Sequence, residues 1–183
     1  MMENAVGLLE WKSIARGIKA TDTLLKTATV DLLQAGPVCP GKYIALFGGE
    51  VGAVQSALEA ARLDSGGDVI DELMLARVDP AVFPALAGTT EVHEQAALCV
   101  METFSAASAI RAADTAVKAA IVQLMEIRIA RGMGGKAIVL FSGEVGAVKA
   151  AAEAAAKTAM DSGLLVGYEV IPAPDPALWE KLL

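Results

Sequence analysis

Aromatic side chains are scarce in this 183-residue chain: two Trp, two Tyr and four Phe, 4% of the total. Histidine occurs once, as His93 in the expected linker between two units, so neither a multi-histidine metal site nor a Ser-His-Asp arrangement is predicted. Cysteine occurs twice, as Cys39 and Cys99, sixty residues apart. That is no disulfide framework, and a cytosolic chain would keep both thiols reduced. Positive charge is also short. Fifteen Lys and Arg against 22 Asp and Glu give a net charge of −7, the wrong sign for a phosphate-backbone binder, and no basic cluster interleaves with aromatics. Nucleic acid is excluded as a partner. No apolar run approaches the roughly 18 residues of a membrane span, and Met1-Met2-Glu3-Asn4 carries no basic region ahead of an apolar stretch. The expectation is a chain with neither membrane partner nor secretory signal that stays in the cytoplasm.

What is present is small and apolar. Hydrophobic residues make up 55% of the chain, 36 of the residues are alanine, and mean hydropathy is +0.51. An apolar, aromatic-poor chain of this size must hide its surface, and the expected place is against copies of itself.

The chain repeats itself at an offset that starts at 92 and drifts to 97. Leu8-Leu9-Glu10 answers Val100-Met101-Glu102, and Asp22 and Lys26 answer Asp114 and Lys118. Gly49-Glu50-Val51-Gly52-Ala53-Val54 recurs as Gly143-Glu144-Val145-Gly146-Ala147-Val148, and Asp79-Pro80-Ala81 recurs as Asp175-Pro176-Ala177. The join falls in the polar, non-periodic stretch around residues 88–93, which divides the chain into residues 1–90 and 91–183.

Each repeat follows one plan. A strand (Ala5 to Trp11; Ala97 to Phe104) precedes a helix with apolar periodicity (Ile14 to Thr27; Ala106 to Ala119). A second strand, Val30 to Gln34 or Val122 to Ile129, runs into a Gly-bearing loop. A third, Tyr43 to Phe47 or Ala137 to Phe141, ends where a helix starts near Glu50 or Glu144, whose carboxylate suits a first turn. A last strand, Val69 to Val78 or Leu165 to Ile171, and a short Asp-Pro-led helix close the unit. The fold class is α+β, a sheet with helices on one side.

The loops offer little conventional chemistry. Gly36-Pro37-Val38-Cys39-Pro40-Gly41-Lys42 matches the start of a phosphate-binding G-x-x-x-x-G-K loop. Tyr43 replaces the magnesium-binding Ser or Thr, the loop leads into a strand, and two prolines remove the N–H groups a phosphate cradle needs. Glu10 and Glu102 occupy equivalent places in separate repeats, which duplication explains without acid–base chemistry. Asp22/Lys26 and Asp114/Lys118 are i,i+4 pairs, each on one helix face. Cys99 reads as a small hydrophobe inside a strand. Cys39, constrained by Pro37 and Pro40, has no cysteine counterpart in Ala130-Arg131-Gly132-Met133-Gly134-Gly135. Taken alone it is a small loop residue with an idle thiol. One thiolate cannot hold an iron–sulfur cluster, which needs about three or four, whereas a threefold oligomer would bring three copies to one axis.

The duplicated motifs resemble bacterial microcompartment shell domains. Gly7-Leu8-Leu9-Glu10, Asp22 with Lys26 and Gly49-Glu50-Val51-Gly52-Ala53-Val54 carry the resemblance in the first repeat. Ala113-Asp114, Lys118-Ala119 and Gly143-Glu144-Val145-Gly146-Ala147-Val148 carry it in the second. The resemblance implies two tandem domains, each a mainly antiparallel four-stranded sheet with helices, in a homotrimer shaped like a hexamer. It implies a structural, non-catalytic tile in a microcompartment shell in the cytoplasm, with other shell proteins as neighbours. Within the family, Cys39-Pro40-Gly41-Lys42-Tyr43 and Asp79-Pro80-Ala81-Val82-Phe83-Pro84 are most similar to the T-type shell proteins of propanediol-utilisation compartments.

That likeness implies a pore loop from Pro37, Val38, Cys39, Pro40 and Gly41 together with Gly132, Met133 and Gly134. It implies Cys39 as the ligand of one [4Fe–4S] cluster per trimer on the threefold axis, an encapsulated redox enzyme as electron partner, and Lys26 and Lys118 at tile edges. The chain departs from the family at Pro172-Ala173-Pro174-Asp175, where shell domains often carry Pro-Arg-Pro-His, so an arginine edge contact is not expected there. A pore that conducts only small metabolites, and a ligand-binding regulatory module, are the alternative readings.

Overall fold

The structure is a computed structural model that describes residues 4–92, 96–129 and 132–182. The chain separates into two compact units, Met1–Val78 with Arg131–Gly135, and Asp79–Ala130 with Lys136–Leu183.

The first unit contains β1 (Asn4–Trp11), α1 (Ile14–Thr27), β2 (Asp31–Val38), β3 (Lys42–Glu50), α2 (Val51–Asp64) and β4 (Val69–Leu75). Its sheet runs β2-β3-β1-β4, antiparallel throughout. Side chains alternate across β1, so Ala5, Leu9 and Trp11 share a face with Tyr43, Ala45 and Phe47 of β3. Leu24 of α1 and Val54, Ala57, Leu58 and Ala61 of α2 close this core. The small residues matter to the packing distance. A Cβ on Gly7 would lie 2.7 Å from the Phe47 ring and 2.9 Å from Val54, so only glycine admits α2 this close. Ser13 caps α1 by accepting from the Arg16 N–H, and the Trp11 indole N–H donates to Ser65 Oγ at 2.6 Å.

The second unit begins with α3 (Val82–Ala87) and continues through β5 (Ala97–Thr103), α4 (Ala106–Ala119), β6 (Gln123–Ile129), β7 (Ala137–Gly143), α5 (Val145–Asp161), β8 (Leu165–Ile171) and α6 (Pro176–Leu182). Its sheet repeats the order, β6-β7-β5-β8. The likeness extends to the irregularities. A register shift falls between Leu32 and Gln34 and again between Leu124 and Glu126. Ser105 caps α4 as Ser13 caps α1, here by accepting from the Ser108 N–H.

Three expectations are corrected. β2 extends past Gln34 to Val38, through Gly36 and Pro37, because it is an edge strand and tolerates a proline without a ladder N–H. β4 stops at Leu75 before Arg77, which adopts a left-handed conformation at φ 55°. Helices do not all lie on one side of the sheet. Trp179 of α6 packs with Leu98, Met125 and Leu140, and Leu98 points away from the β5 face that carries Cys99 and Met101.

Candidate functional site

Cys39 stands at the tip of the β2–β3 hairpin. Val38-Cys39-Pro40-Gly41 forms the turn, with a cis peptide bond between Cys39 and Pro40. The Gly41 N–H donates to the Val38 carbonyl at 3.0 Å, closing the turn in the type VI pattern. Val38 is buried, Cys39 half-buried, and Pro37, Pro40 and Gly41 exposed. The phosphate-loop resemblance ends here, because Lys42 opens β3 rather than a helix.

Lys42 turns inward. Its Nζ lies 3.5 Å from Glu10 Oε2, and the two side chains are only 18% and 1% exposed. The recurring pair in the second unit is Lys136 with Glu102, an ion pair with both partners more than a third exposed. The recurrence of Glu10 and Glu102 marked both carboxylates, but no signal in the sequence separated the buried one from the open one.

Residues 132–135 group with the first unit, and Gly135 lies against the Cys39 turn. A Cβ at Gly135 would meet Pro40 Cδ at 2.9 Å and the Cys39 carbonyl oxygen at 3.3 Å, and the residue's φ is +90°. The structure therefore brings the two expected loop segments together. Gly132 and Gly134 are exposed with positive φ, and Met133 is half-buried. Ala130 and Arg131 of this loop, and His93 of the linker, lie outside the described residues.

The two thiols differ in environment. Cys99 is fully buried in β5, and burial pushes its thiol up to about 12, which keeps it protonated near neutral pH. Among the described residues, no group of three or more His, Cys, Asp or Glu could hold a metal ion. The donor set of one chain thus does not fit an iron–sulfur cluster. One half-exposed thiol at a hairpin tip fits a corner of such a cluster only when other copies supply the rest.

The expected edge lysines lie on matching helix faces. Lys26 donates to Asp22 at 2.5 Å, and Lys118 donates to Asp114 at 2.6 Å. Their surroundings differ sharply, since the Asp22 side chain is 61% exposed and that of Asp114 only 7%. Asp114 also accepts from the backbone N–H of Asp79 at 2.8 Å. The sequence displayed both repeated motifs, Asp-x-x-x-Lys and Asp-Pro-Ala, without indicating that one binds the other.

An open groove of about 790 Å³ in the second unit is lined by Pro84, Thr90, Ile121, Leu124, Ser142 and Ala147, among others. Its walls are chiefly apolar, and the Thr90 hydroxyl is buried with no hydrogen-bond partner among the described residues. Glu144 caps α5 beside it, accepting from the Gly146 and Ala147 N–H groups at 2.8 and 3.2 Å. That cap occupies the helix N-terminus with a carboxylate, as the Gly-Glu-Val-Gly motif implied.

Comparison with known proteins places this architecture. The BMC domain matches twice, at residues 5–78 and 97–174. The bacterial microcompartment shell protein PduT of Citrobacter freundii is 40% identical over 182 residues, covering 100% of this chain and 99% of the relative. PduA of the same organism, also a microcompartment shell protein, is 41% identical over 91 residues, 49% of this chain and 94% of PduA. A crystal structure of a microcompartment protein from Desulfitobacterium hafniense superposes with a TM-score of 0.90 at 46% identity, covering 97% of this chain and 99% of that one.

Proposed function

Since the chain belongs to the BMC domain family and carries the domain twice, we propose that it is a structural tile of a bacterial microcompartment shell in the cytoplasm, assembled as a homotrimer around a central pore. The observation that carries this reading is the full-length likeness to PduT of a chain with two complete four-stranded copies of one fold. Two copies per chain and three chains per tile reproduce six domains around one axis. Lys26 and Lys118 lie on the surface where such tiles would meet one another and other shell proteins. The role is structural rather than enzymatic. Electron microscopy of the purified protein should show extended sheets or, on co-expression with other shell proteins, closed shells. Single particles with no lateral order under both conditions would overturn it.

The pore of the proposed trimer is lined by the Cys39 hairpin and the Gly132–Gly134 loop, which the contact of Gly135 with Pro40 supports. Three Cys39 thiolates around the axis hold one [4Fe–4S] cluster per trimer in this reading. Bound there, the cluster supplies one-electron transfer across the shell, with an encapsulated redox enzyme as partner. The chain's own contribution is positional. The closed hairpin turn fixes the cysteine backbone, and the Lys42–Glu10 pair anchors the first residue of β3 beneath it. Anaerobic purification should give a brown protein absorbing broadly near 400 nm (roughly the iron–sulfur charge-transfer region), and Cys39→Ser should remove both colour and iron. A colourless, iron-free anaerobic preparation would leave the tile with a pore that passes small metabolites only.

A further inference from the structure

In the second unit, the stretch from Asp79 into α3 is seated by a compact set of contacts. The Val82 N–H donates to the Asp79 carbonyl at 3.0 Å, and the Ala81 N–H donates to Asp79 Oδ1 at 2.9 Å. This turn aims the Asp79 N–H at Asp114 Oδ1, 2.8 Å away, while Asp114 Oδ2 accepts from Lys118. α3 then packs along β6, where Leu124 and Met125 are buried, and Val82 is itself 0% exposed.

The same turn recurs at the other end of the chain. The Leu178 N–H donates to the Asp175 carbonyl at 2.9 Å, and the Ala177 N–H donates to Asp175 Oδ1 at 2.8 Å. Here the outward contacts are missing. The Asp175 N–H has no acceptor among the described residues, and Leu178, at the position of Val82, is 38% exposed. Its receptor is equally open. Asp22, at the position of Asp114, uses Oδ2 for Lys26, and its side chain is 61% exposed. Leu32 and Leu33 of β2, at the positions of Leu124 and Met125, are both exposed. So is Ile18 of α1, whose counterpart Ile110 is buried. Donor, acceptor, apolar plug and apolar seat are all present, formed alike, and unjoined.

We infer that the start of α6 docks on a second copy of this chain, its Asp175 N–H donating to that copy's Asp22 and its Leu178 covering that copy's Leu32 and Leu33. The in-chain contact of Asp79 with Asp114 supplies the template, and both turns close on the same two bonds to the leading aspartate, one to its carbonyl and one to its Oδ1. The joint is head-to-tail, one end of each copy meeting a different surface of the next, so copies add in a ring until it closes. The inference deepens the assembly part of the proposed function by naming the residues at the joint between chains.

The test uses the full chain carrying Cys39→Ser, so that the introduced thiols are the exposed ones. Asp22→Cys with Asp175→Cys should oxidise to inter-chain disulfides, giving covalent oligomers on non-reducing gels. Each single substitution should remain at the 18.8 kDa of one chain. Leu178→Asp should drop the mass measured by light scattering from the oligomer to one chain, with far-UV circular dichroism unchanged, and Leu178→Ala should raise the dissociation constant at least tenfold. A double-cysteine variant that forms no inter-chain bond, or a Leu178→Asp variant that keeps the wild-type mass, would overturn the joint. Rings that cross-link yet never tile into sheets would overturn the shell reading alone. Sheets from a chain whose cysteine pair never links would overturn the joint alone.

Discussion

The α1–β2 face of the first unit and the α4–β6 face of the second are built from the same motifs and end in opposite states. α4 buries residues on nearly every side, including Ile110, Ala113 and Asp114, whereas α1 buries Gly17, Ala20, Thr21 and Leu24 alone. Along the strands, Leu124 is 1% exposed and Leu32 40%. A fully buried leucine is worth about 1.5–3 kcal/mol relative to an exposed one, so this face of the first unit gives up several such contributions in a single chain. The lesson concerns the connection rather than the composition. Within the second unit the Asp79 turn and α3 cover the face of α4 and β6, and the matching face of α1 and β2 presents the same kinds of residue exposed.

The sharpest way to break this comparison is to place a charge at the two equivalent plug positions. Val82→Asp puts an unpaired carboxylate at a site with no solvent access and should cost more than ~3 kcal/mol of unfolding free energy. Leu178→Asp, on the dissociated chain, should stay within about 0.5 kcal/mol of wild type. Urea unfolding of both decides it. Equal losses would mean that the two helices are seated alike in one chain.

Next in size is the ion pair under the hairpin against its open counterpart. Lys42→Met removes the cationic partner of the buried Glu10 carboxylate and should cost roughly 3 kcal/mol, the scale of breaking a buried ion pair. Lys136→Met should cost no more than about 1 kcal/mol, since Glu102 is accessible to water. Thermal denaturation that ranks the two the other way would show that Glu10 draws its support from elsewhere.

The glycine loop gives a smaller contrast inside one segment. Gly135→Ala combines left-handed backbone with a Cβ driven into Pro40 and the Cys39 carbonyl, and should destabilise by about 2–3 kcal/mol. Gly132→Ala meets open space and should cost only the backbone term of about 1–2 kcal/mol. If the two variants unfold at the same urea concentration, the loop is not seated on the hairpin.

Much of the fold was legible in local signals, and the remainder failed where the signal was not local. α1 and α4 begin and end where the apolar periodicity places them, Ile14–Thr27 and Ala106–Ala119, because that signal is set within a few helix turns. β2 was cut short at Gln34 because Gly36 and Pro37 read as loop, and only the strand order reveals the edge position that tolerates them. The repeat join near residue 90 describes the text of the chain, whereas packing groups α3 with the second unit from Asp79 onward. At the site, Cys39 was visible as an unmatched thiol between prolines. Its turn, the seat of Gly135 against Pro40 and the bond from Asp79 to Asp114 depend on contacts between residues far apart in sequence, which no motif encodes.

The smallest expected difference between the units is electrostatic. Asp64, at the end of α2, accepts from Lys19, and from the Thr23 hydroxyl at 3.0 Å. Hydrogen bonds from Lys19 and then Thr23, aided by the positive charge of Lys19 and Arg16, hold its carboxyl below the ordinary 3.8. The second repeat offers Arg111, Thr115 and Asp161 at these positions, and there Thr115 gives its hydroxyl to the Arg111 carbonyl of its own helix. A carboxylate with a lowered folded pKa stabilises the fold fully above its unfolded value and loses that contribution as the pH falls through the folded one. Asp64→Asn should therefore lower Tm slightly at pH 7, by the least of any variant named here because the pair is exposed to solvent and salt. The gap to wild type should narrow below pH 3.8 and close as the carboxyl protonates. A gap to wild type that stays the same from pH 7 down to about pH 2 would mean that the Asp64 carboxylate draws nothing from Lys19 and Thr23.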